Sequence, residues 1–329
     1  MERLIEIDDR ATGLRAAIAI DSTALGPAAG GVRTRAYPTF ADAVADAGAL
    51  ARAMTSKCAI AGLDAGGGKA VVWDHGDWAR EAGFERLGEV IESLGGAFRT
   101  AGDLGTTAAD LAAMARRCRY VHLDEVELAA SVARGVTRCA DACLARRGAG
   151  WSGLRVALQG AGAIGAACAR ALAARGARIT VADLDRERAG ALAAAIGGTV
   201  LPPDEVLAAE VDLVVPCAVG GVLTAAAVTS LRAWAVVPAA NNAVADRQAA
   251  RLLVDRGILH VPDLVASAGA VIEGIGRTVM GLEPAARAAL IDRLGEVAAE
   301  VLERTSVTGT PADQVAEAIG AGRIRTKIV

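Results

Sequence analysis

The chain of 329 residues is long enough for about two domains, and its 53% hydrophobic content can fill large cores. Only 3% of residues are aromatic, so those cores must be built from Ala, Val, Leu and Ile in closely packed elements. A net charge of −3, with basic residues scattered among acidic ones, argues against nucleic-acid and membrane-surface partners. No apolar stretch reaches the ~18 residues of a membrane-spanning helix. The first ten residues are charged throughout and do not read as a signal peptide, so a cytoplasmic protein is expected. The cysteines at 58, 118, 139, 143, 168 and 217 form no CxxC pair and read as small core residues. No metal site is expected, and the dispersed histidines are given no catalytic role.

The first part of the chain reads as mixed α/β. Leu14 to Ile20 alternates like a strand, 31–34 is a second strand, and Phe40 to Met54 is an amphipathic helix. Cys58 to Ala61 and Ala70 to Trp73 follow as strands, and Trp78 to Leu94 as a helix. Within this part, the segment 57–69 carries Lys57, a Gly66-Gly67-Gly68 run and Lys69. Residues without Cβ atoms let backbone or ligand approach closely. Lys69 stands between that bare backbone and an apolar run, where partial desolvation is expected. Desolvation and a second lysine both disfavour the charged amine, which is how a lysine becomes a general base near neutral pH. The competing reading is a glycine-rich turn followed by a solvated lysine. Further on, Asp103 sits on a glycine-flanked turn. Thr106 or Thr107 can cap the helix starting near Ala108, which leaves Asp103 free for chemistry.

The chain divides near residue 130. The expected organisation is a first domain over 1–130, a nucleotide-binding domain over 131–283, and C-terminal helices over about 284–329 that pack back on the first domain. Leu154 to Gln159 reads as a strand, Gly160-Ala161-Gly162-Ala163-Ile164-Gly165 as a glycine turn, and Ala166 to Arg175 as a helix. A second strand, Arg178 to Ala182, ends in Asp183. This is a dinucleotide-binding fingerprint in its full context. Gly160 makes the tight turn, Gly162 admits the pyrophosphate to the helix N-terminus, and Gly165 allows close helix–strand packing. Asp183 would accept hydrogen bonds from the adenosine ribose and repel a 2′-phosphate, which favours NAD over NADP. Arg186 and Arg188 leave room for NADP.

Strand-like runs at Val211 to Val215, Ala233 to Val237 and Ile258 to Val261 alternate with helical patterns at Ala225 to Arg232 and Ala245 to Arg256. They predict a doubly wound parallel sheet, the Rossmann arrangement, with helices on both faces. Ligands bind such sheets beyond the carboxyl ends of the strands. The segments there are Pro216 to Gly221, with Cys217 and Ala218, then Pro238 to Asn242, with Asn241, and Pro262 to Gly269, with Ser267. They are candidates for the nicotinamide and substrate rim.

Taken in order, Leu25 to Arg33, Met54 to Lys57, Gly66 to Lys69, Thr100 to Thr107, Pro216-Cys217-Ala218 and Ala240-Asn241-Asn242 resemble the leucine, phenylalanine and valine dehydrogenases of the glutamate dehydrogenase superfamily. The resemblance covers about residues 12 to 325. It implies an α/β substrate and dimerisation domain, a Rossmann domain, and a cleft between them that closes over substrate. It further implies NAD-dependent, reversible oxidative deamination of an apolar L-amino acid to a 2-oxo acid and ammonia, in a homo-oligomer, dimer or larger. By the same resemblance Lys57 binds the substrate carboxylate and Lys69 activates water. Asp103 pairs with the substrate amine, Gly30 and Gly31 line the carboxylate site, and Asn241 and Asn242 orient substrate and nicotinamide. Ala29, Ala101, Val271 and Gly274 fall at the pocket walls. The alanines and the glycine among them leave room that leans towards a bulky or aromatic substrate.

Three departures stand out. Ser267-Ala-Gly-Ala270 replaces an Asn-Ala-Gly-Gly stretch. Val132 takes the place of a threonine, after a shortened loop. The N-terminus lacks about a dozen residues tied to subunit contacts. With Glu273, a charge beside the expected pocket, they keep two alternatives open. One is an NAD(P)-dependent imine or keto-acid reductase of a specialised pathway. The other is a non-catalytic NAD-binding protein.

Overall fold

The computed structural model describes residues 1–123 and 128–328. Internal contacts divide the chain into two compact units. The first gathers Met1–Val126, Gly274–Leu282 and Gly320–Val329; the second gathers Glu127–Glu273 and Glu283–Ile319.

The first unit contains β1 (Arg3–Asp9), β2 (Leu14–Ser22), β3 (Ala28–Ala29), β4 (Val32–Arg35), α1 (Phe40–Ile60), β5 (Gly66–Trp73), α2 (Arg80–Ser93), β6 (Phe98–Arg99) and α3 (Ala108–Ala115). Its six-stranded sheet runs β1-β2-β5-β3-β6, with β4 also paired to β5. Strand β2, between β1 and β5, is buried on both faces, which explains its mostly apolar sequence. Ala16, Ile18 and Ile20 join Phe84, Leu87, Ile91 and Met114 on the side of α2 and α3. Ala17 and Ala19 join Ala43, Ala47 and Ala51 of α1 on the other.

Helix α1 begins at a Thr39–Asp42 capping box. Its buried stripe, Ala43, Ala47, Ala51, Thr55 and Ala59, recurs every four residues and is made of small side chains. Backbone therefore comes close to backbone. A Cβ on Gly67 would lie 2.1 Å from the Thr55 nitrogen, and one on Gly68 2.7 Å from the Phe98 ring. The glycine run is thus no turn. It opens β5 and is clamped between α1 and Phe98. The strand expected over Cys58 to Ala61 is instead the last turn of α1, because the short apolar run Cys58-Ala59-Ile60 continues the helical stripe. The carbonyls at this helix end and in the loop after it accept from Arg323: Leu63 at 2.7 Å, Gly62 at 2.9 Å and Ala59 at 3.2 Å.

The rest of the chain contains α4 (Ala129–Arg147), β7 (Arg155–Gln159), α5 (Ala163–Ala174), β8 (Arg178–Ala182), α6 (Arg186–Ile196), β9 (Thr199–Val200), β10 (Leu213–Pro216), α7 (Ala225–Ser230), β11 (Ala235–Val236), α8 (Arg247–Asp255) and β12 (Leu259–His260). Then come α9 (Asp263–Ala266), α10 (Gly269–Thr278), α11 (Pro284–Asp292), α12 (Leu294–Thr308) and α13 (Ala312–Ile328). The second unit's sheet is parallel throughout, in the order β12-β11-β10-β7-β8-β9. This is the doubly wound order, with its switch point between β7 and β10.

The C-terminal helices differ from expectation. Helices α11 and α12 belong to the second unit, where Asp292 receives Arg134 and Arg138 of α4 at 2.7 and 2.8 Å. Only the stretch from Gly320 onward joins the first unit.

Candidate active site

A break between β3 and β4 builds the first half of the site. Ala28 and Ala29 pair with Gly66 and Gly67, and Val32 to Arg35 pair with Ala70 to Trp73. Gly30 and Gly31 fill the gap, opposite Gly68 and Lys69. A Cβ on Gly30 would lie 1.8 Å from the Gly68 carbonyl oxygen, and one on Gly31 2.8 Å from the Asp103 Cβ. The diglycine therefore lets the loop bearing Asp103 close onto the strand bearing Lys69. The Thr107–Asp110 capping box starts α3, so Asp103 has no capping duty. Lys69 Nζ meets Asp103 Oδ2 at 2.6 Å, with the lysine side chain only 7% exposed.

The electrostatics follow from burial. Burial is the largest influence on Lys69 and pushes its pKa below the ordinary 10.5, while the Asp103 carboxylate pushes back. Burial pushes the Asp103 carboxyl up, but Lys69, the Leu104 amide and Arg33 outweigh it, and its pKa falls below the ordinary value. Arg33 donates from Nε to the same Asp103 Oδ2 at 3.1 Å. It also reaches Asp46 at 3.3 Å, and Asp46 accepts the Tyr37 hydroxyl at 2.5 Å. Arg33, Asp46 and Tyr37 were not legible as site residues. The one available signal was that Arg33 closes the glycine motif at 25–33.

The other substrate candidates are placed as follows. Lys57 is half-buried in the last turn of α1, two residues past the Thr55–Gly67 contact. Ala29 is 1% exposed on β3, and Ala101 is half-buried after β6. Val271 and Gly274 share a face of α10, and no atom lies within 4 Å of where a Gly274 Cβ would be. Asn242 is exposed and adopts the left-handed conformation, φ 53°. Glu273 neither faces a ligand alone nor points to solvent. It pairs with Arg287 at 3.0 Å and accepts from Ser131 at 3.3 Å.

The second unit holds the nucleotide candidates together. Gly160 has φ +101°, and a Cβ there would strike Ala218 at 2.9 Å. A Cβ on Gly165 would lie 1.9 Å from the Gly160 carbonyl oxygen. Both glycines are therefore required by packing. Gly162 differs: it is the N-cap of α5, is exposed, and has nothing within 4 Å of its Cβ position. The first-turn amides at Ala163, Ile164 and Gly165 receive no side-chain cap, so they suit a pyrophosphate. Asp183 Oδ2 accepts the Ala161 amide at 2.6 Å, and Oδ1 accepts Arg188 at 2.7 Å. At the rim, the Cys217 amide donates to Gln159 at 2.7 Å, and Ser267 Oγ reaches Asn241 Oδ1 at 3.3 Å. Val132, the departure at the start of α4, is buried where the Gly269 backbone packs on Ser131. The shortened loop ahead of it falls partly outside the described residues.

A doubly wound nucleotide-binding sheet, with a buried lysine–aspartate pair in a separate α/β unit, defines a nicotinamide-dependent dehydrogenase. Residues 2–120 match the family model for the Glu/Leu/Phe/Val dehydrogenase dimerisation domain, and residues 180–291 match that for glutamate/leucine/phenylalanine/valine dehydrogenase. The chain is 36% identical to a valine dehydrogenase of Streptomyces coelicolor, over 96% of this chain and 91% of that protein. It is 32% identical to a leucine dehydrogenase of Thermoactinomyces intermedius, over 98% and 90%. Among solved structures, L-tryptophan dehydrogenase from Nostoc punctiforme superposes with a TM-score of 0.90 at 29% identity, covering 99% of this chain and 96% of that one. The chain belongs to the Glu/Leu/Phe/Val dehydrogenase family, and is an amino-acid dehydrogenase dependent on a nicotinamide cofactor. Among the described residues no helix is long and apolar enough to cross a membrane.

Proposed function

We propose that this protein catalyses the NAD-dependent oxidative deamination of a bulky, apolar or aromatic L-amino acid, and the reverse reductive amination, with Lys69 as general base. The observation that carries the reading is the buried Lys69 Nζ at 2.6 Å from Asp103. Lys57 fixes the substrate carboxylate beside Gly30 and Gly31. NAD, when bound by the second unit, would supply the acceptor for the hydride of Cα, and the substrate would then stand as an iminium. Asp103 would take a proton from the substrate ammonium before hydride transfer; Lys69 would accept a proton from the water that adds to the iminium carbon; Asp103 would then return its proton to the amine, so that ammonia leaves and the hydroxyl proton passes to solvent as the 2-oxo acid forms. The first unit performs this chemistry and the second binds the dinucleotide through Gly160, Gly162 and Gly165, with Asp183 on the adenosine ribose and Asn241, Asn242 and Ser267 at the nicotinamide end. The active form is a cytoplasmic homo-oligomer. The first matched family model is named for dimerisation and supports that form.

The small walls Ala29, Ala101 and Gly274 support the substrate preference, as does the likeness to a protein titled a tryptophan dehydrogenase. Glu273 is already paired with Arg287, which argues against its serving to recognise an amine-bearing substrate. The test is NADH absorbance with NAD and a panel of tryptophan, phenylalanine, leucine, valine and basic amino acids. Turnover is expected to be highest with the large apolar substrates and to vanish in Lys69→Ala. The neutral amine grows as pH rises, so kcat/KM should climb with pH and level off below 10.5. Absence of turnover with every substrate, in both directions and with NAD or NADP, would overturn the assignment.

A further inference from the structure

Resting on the reading of Lys69 as the base, we propose that Arg33 is a positioning residue for its proton chemistry: the guanidinium is the standing counterion of Asp103 that lets Lys69 part with its proton. Arg33 on β4 and Lys69 on β5 converge on one oxygen, Asp103 Oδ2, at 3.1 and 2.6 Å. With only the lysine present, a neutral amine would leave a largely buried carboxylate without a cation, which is costly. Such a two-membered pair stays ionised and makes a poor base. A guanidinium keeps its charge at every working pH, so with Arg33 on the same oxygen the carboxylate remains neutralised after Lys69 has lost its proton.

The charged groups acting on Lys69 come from three directions. Asp103 reaches it from the loop after β6 and Arg33 from β4, while Asp46 acts from α1. Asp103 and Asp46 favour the protonated amine; burial and Arg33 oppose it. Asp46 holds Arg33 at 3.3 Å and takes the Tyr37 hydroxyl, so it fixes the fork of the guanidinium while tempering its field. Arg33 thus has two effects. It holds Asp103 in the geometry that meets Lys69, and it sets the pH at which the base form appears.

Two readouts test this on the whole protein. One is the pH profile of kcat/KM for deamination. The other is the pH dependence of Lys69 acylation by an amine-selective reagent, followed by peptide mass spectrometry, which reads the neutral amine without turnover. Arg33→Met should move both curves to higher pH by ~1 unit. Arg33→Lys, which keeps a cation, should lie closer to the parent. Asp46→Asn removes an anion and should move them to lower pH. Lower activity in Arg33→Met with both curves unmoved would make Arg33 a merely structural residue and overturn the proposal. If Arg33→Met does not fold, Asp46→Asn carries the test, and an unmoved acylation curve there overturns it equally. Failure of the base assignment is separable: in that case Lys69→Ala retains turnover.

Discussion

Asp183 is committed to its own chain before any ribose arrives. Its Oδ2 fixes the Ala161 amide in the glycine turn, while Oδ1 takes Arg188 at 2.7 Å and the Asp185 amide at 2.8 Å. Burial raises its pKa, but the Arg188 hydrogen bond and the two amides outweigh it and hold it below the usual 3.8, so it is an anion at neutral pH. An adenosine ribose would share that anion with Arg188, whereas a 2′-phosphate would meet its repulsion. Replacing Asp183 by Ser should therefore weaken NADH binding by about tenfold, about 1.4 kcal/mol. It should also tighten NADPH binding, because Arg188 loses its partner and becomes available to a phosphate. Fluorescence titration with each cofactor checks both signs. Unchanged NADPH affinity would show that Arg188 cannot reach the 2′ position.

Packing of α1 on β5 depends on what Gly67 lacks. A Cβ there would sit 2.1 Å from the Thr55 nitrogen and 2.4 Å from the Ala51 carbonyl oxygen, and backbone cannot step aside as a flexible side chain can. Gly67→Ala should destabilise the first unit by ~3 kcal/mol, the upper range for overpacking, with a matching fall in Tm. Gly274 on α10 has open space, so Gly274→Ala should keep or raise stability by up to ~1 kcal/mol. The same variant should raise KM for tryptophan more than for valine, since the methyl narrows the proposed pocket. These contrasts mark where the sequence was legible. The fingerprint around Gly160 could be read because strand, glycines, helix and acid lie in one short stretch. For the same reason the cap of α3 could be narrowed to Thr106 or Thr107, of which Thr107 serves. The end of α1 could not be read, since Cys58-Ala59-Ile60 fits a buried strand as well as a buried helix. Nor could the partners of Asp103 and Glu273: Arg33 lies 70 residues from Asp103, and the Glu273–Arg287 pair forms only when α11 packs within the second unit.

At the scale of the whole molecule, the residues proposed for chemistry and those proposed for dinucleotide binding fall in different units, each with its own core. Lys57, Lys69 and Asp103 belong to the first unit; Gly160, Gly162, Gly165 and Asp183 belong to the second. If the division is functional, single substitutions should separate the two properties. Gly162→Ala is the sharpest probe of the second unit. The residue has φ −66°, an ordinary conformation for alanine, and its Cβ would touch nothing within the protein. Folding and Tm should thus be unchanged. The methyl would, however, occupy the space that a pyrophosphate needs at the N-terminus of α5, so the NADH Kd should rise by tenfold or more, at least about 1.4 kcal/mol. Lys69→Ala should do the reverse: its NADH Kd should match the parent, because no nucleotide-binding residue is touched, while turnover is lost. Calorimetric titration of NADH into both variants, with Tm measured alongside, decides the matter. Tighter or equal NADH binding in Gly162→Ala would mean that the dinucleotide does not approach through the glycine turn, and the cofactor site would have to be sought elsewhere on the second unit.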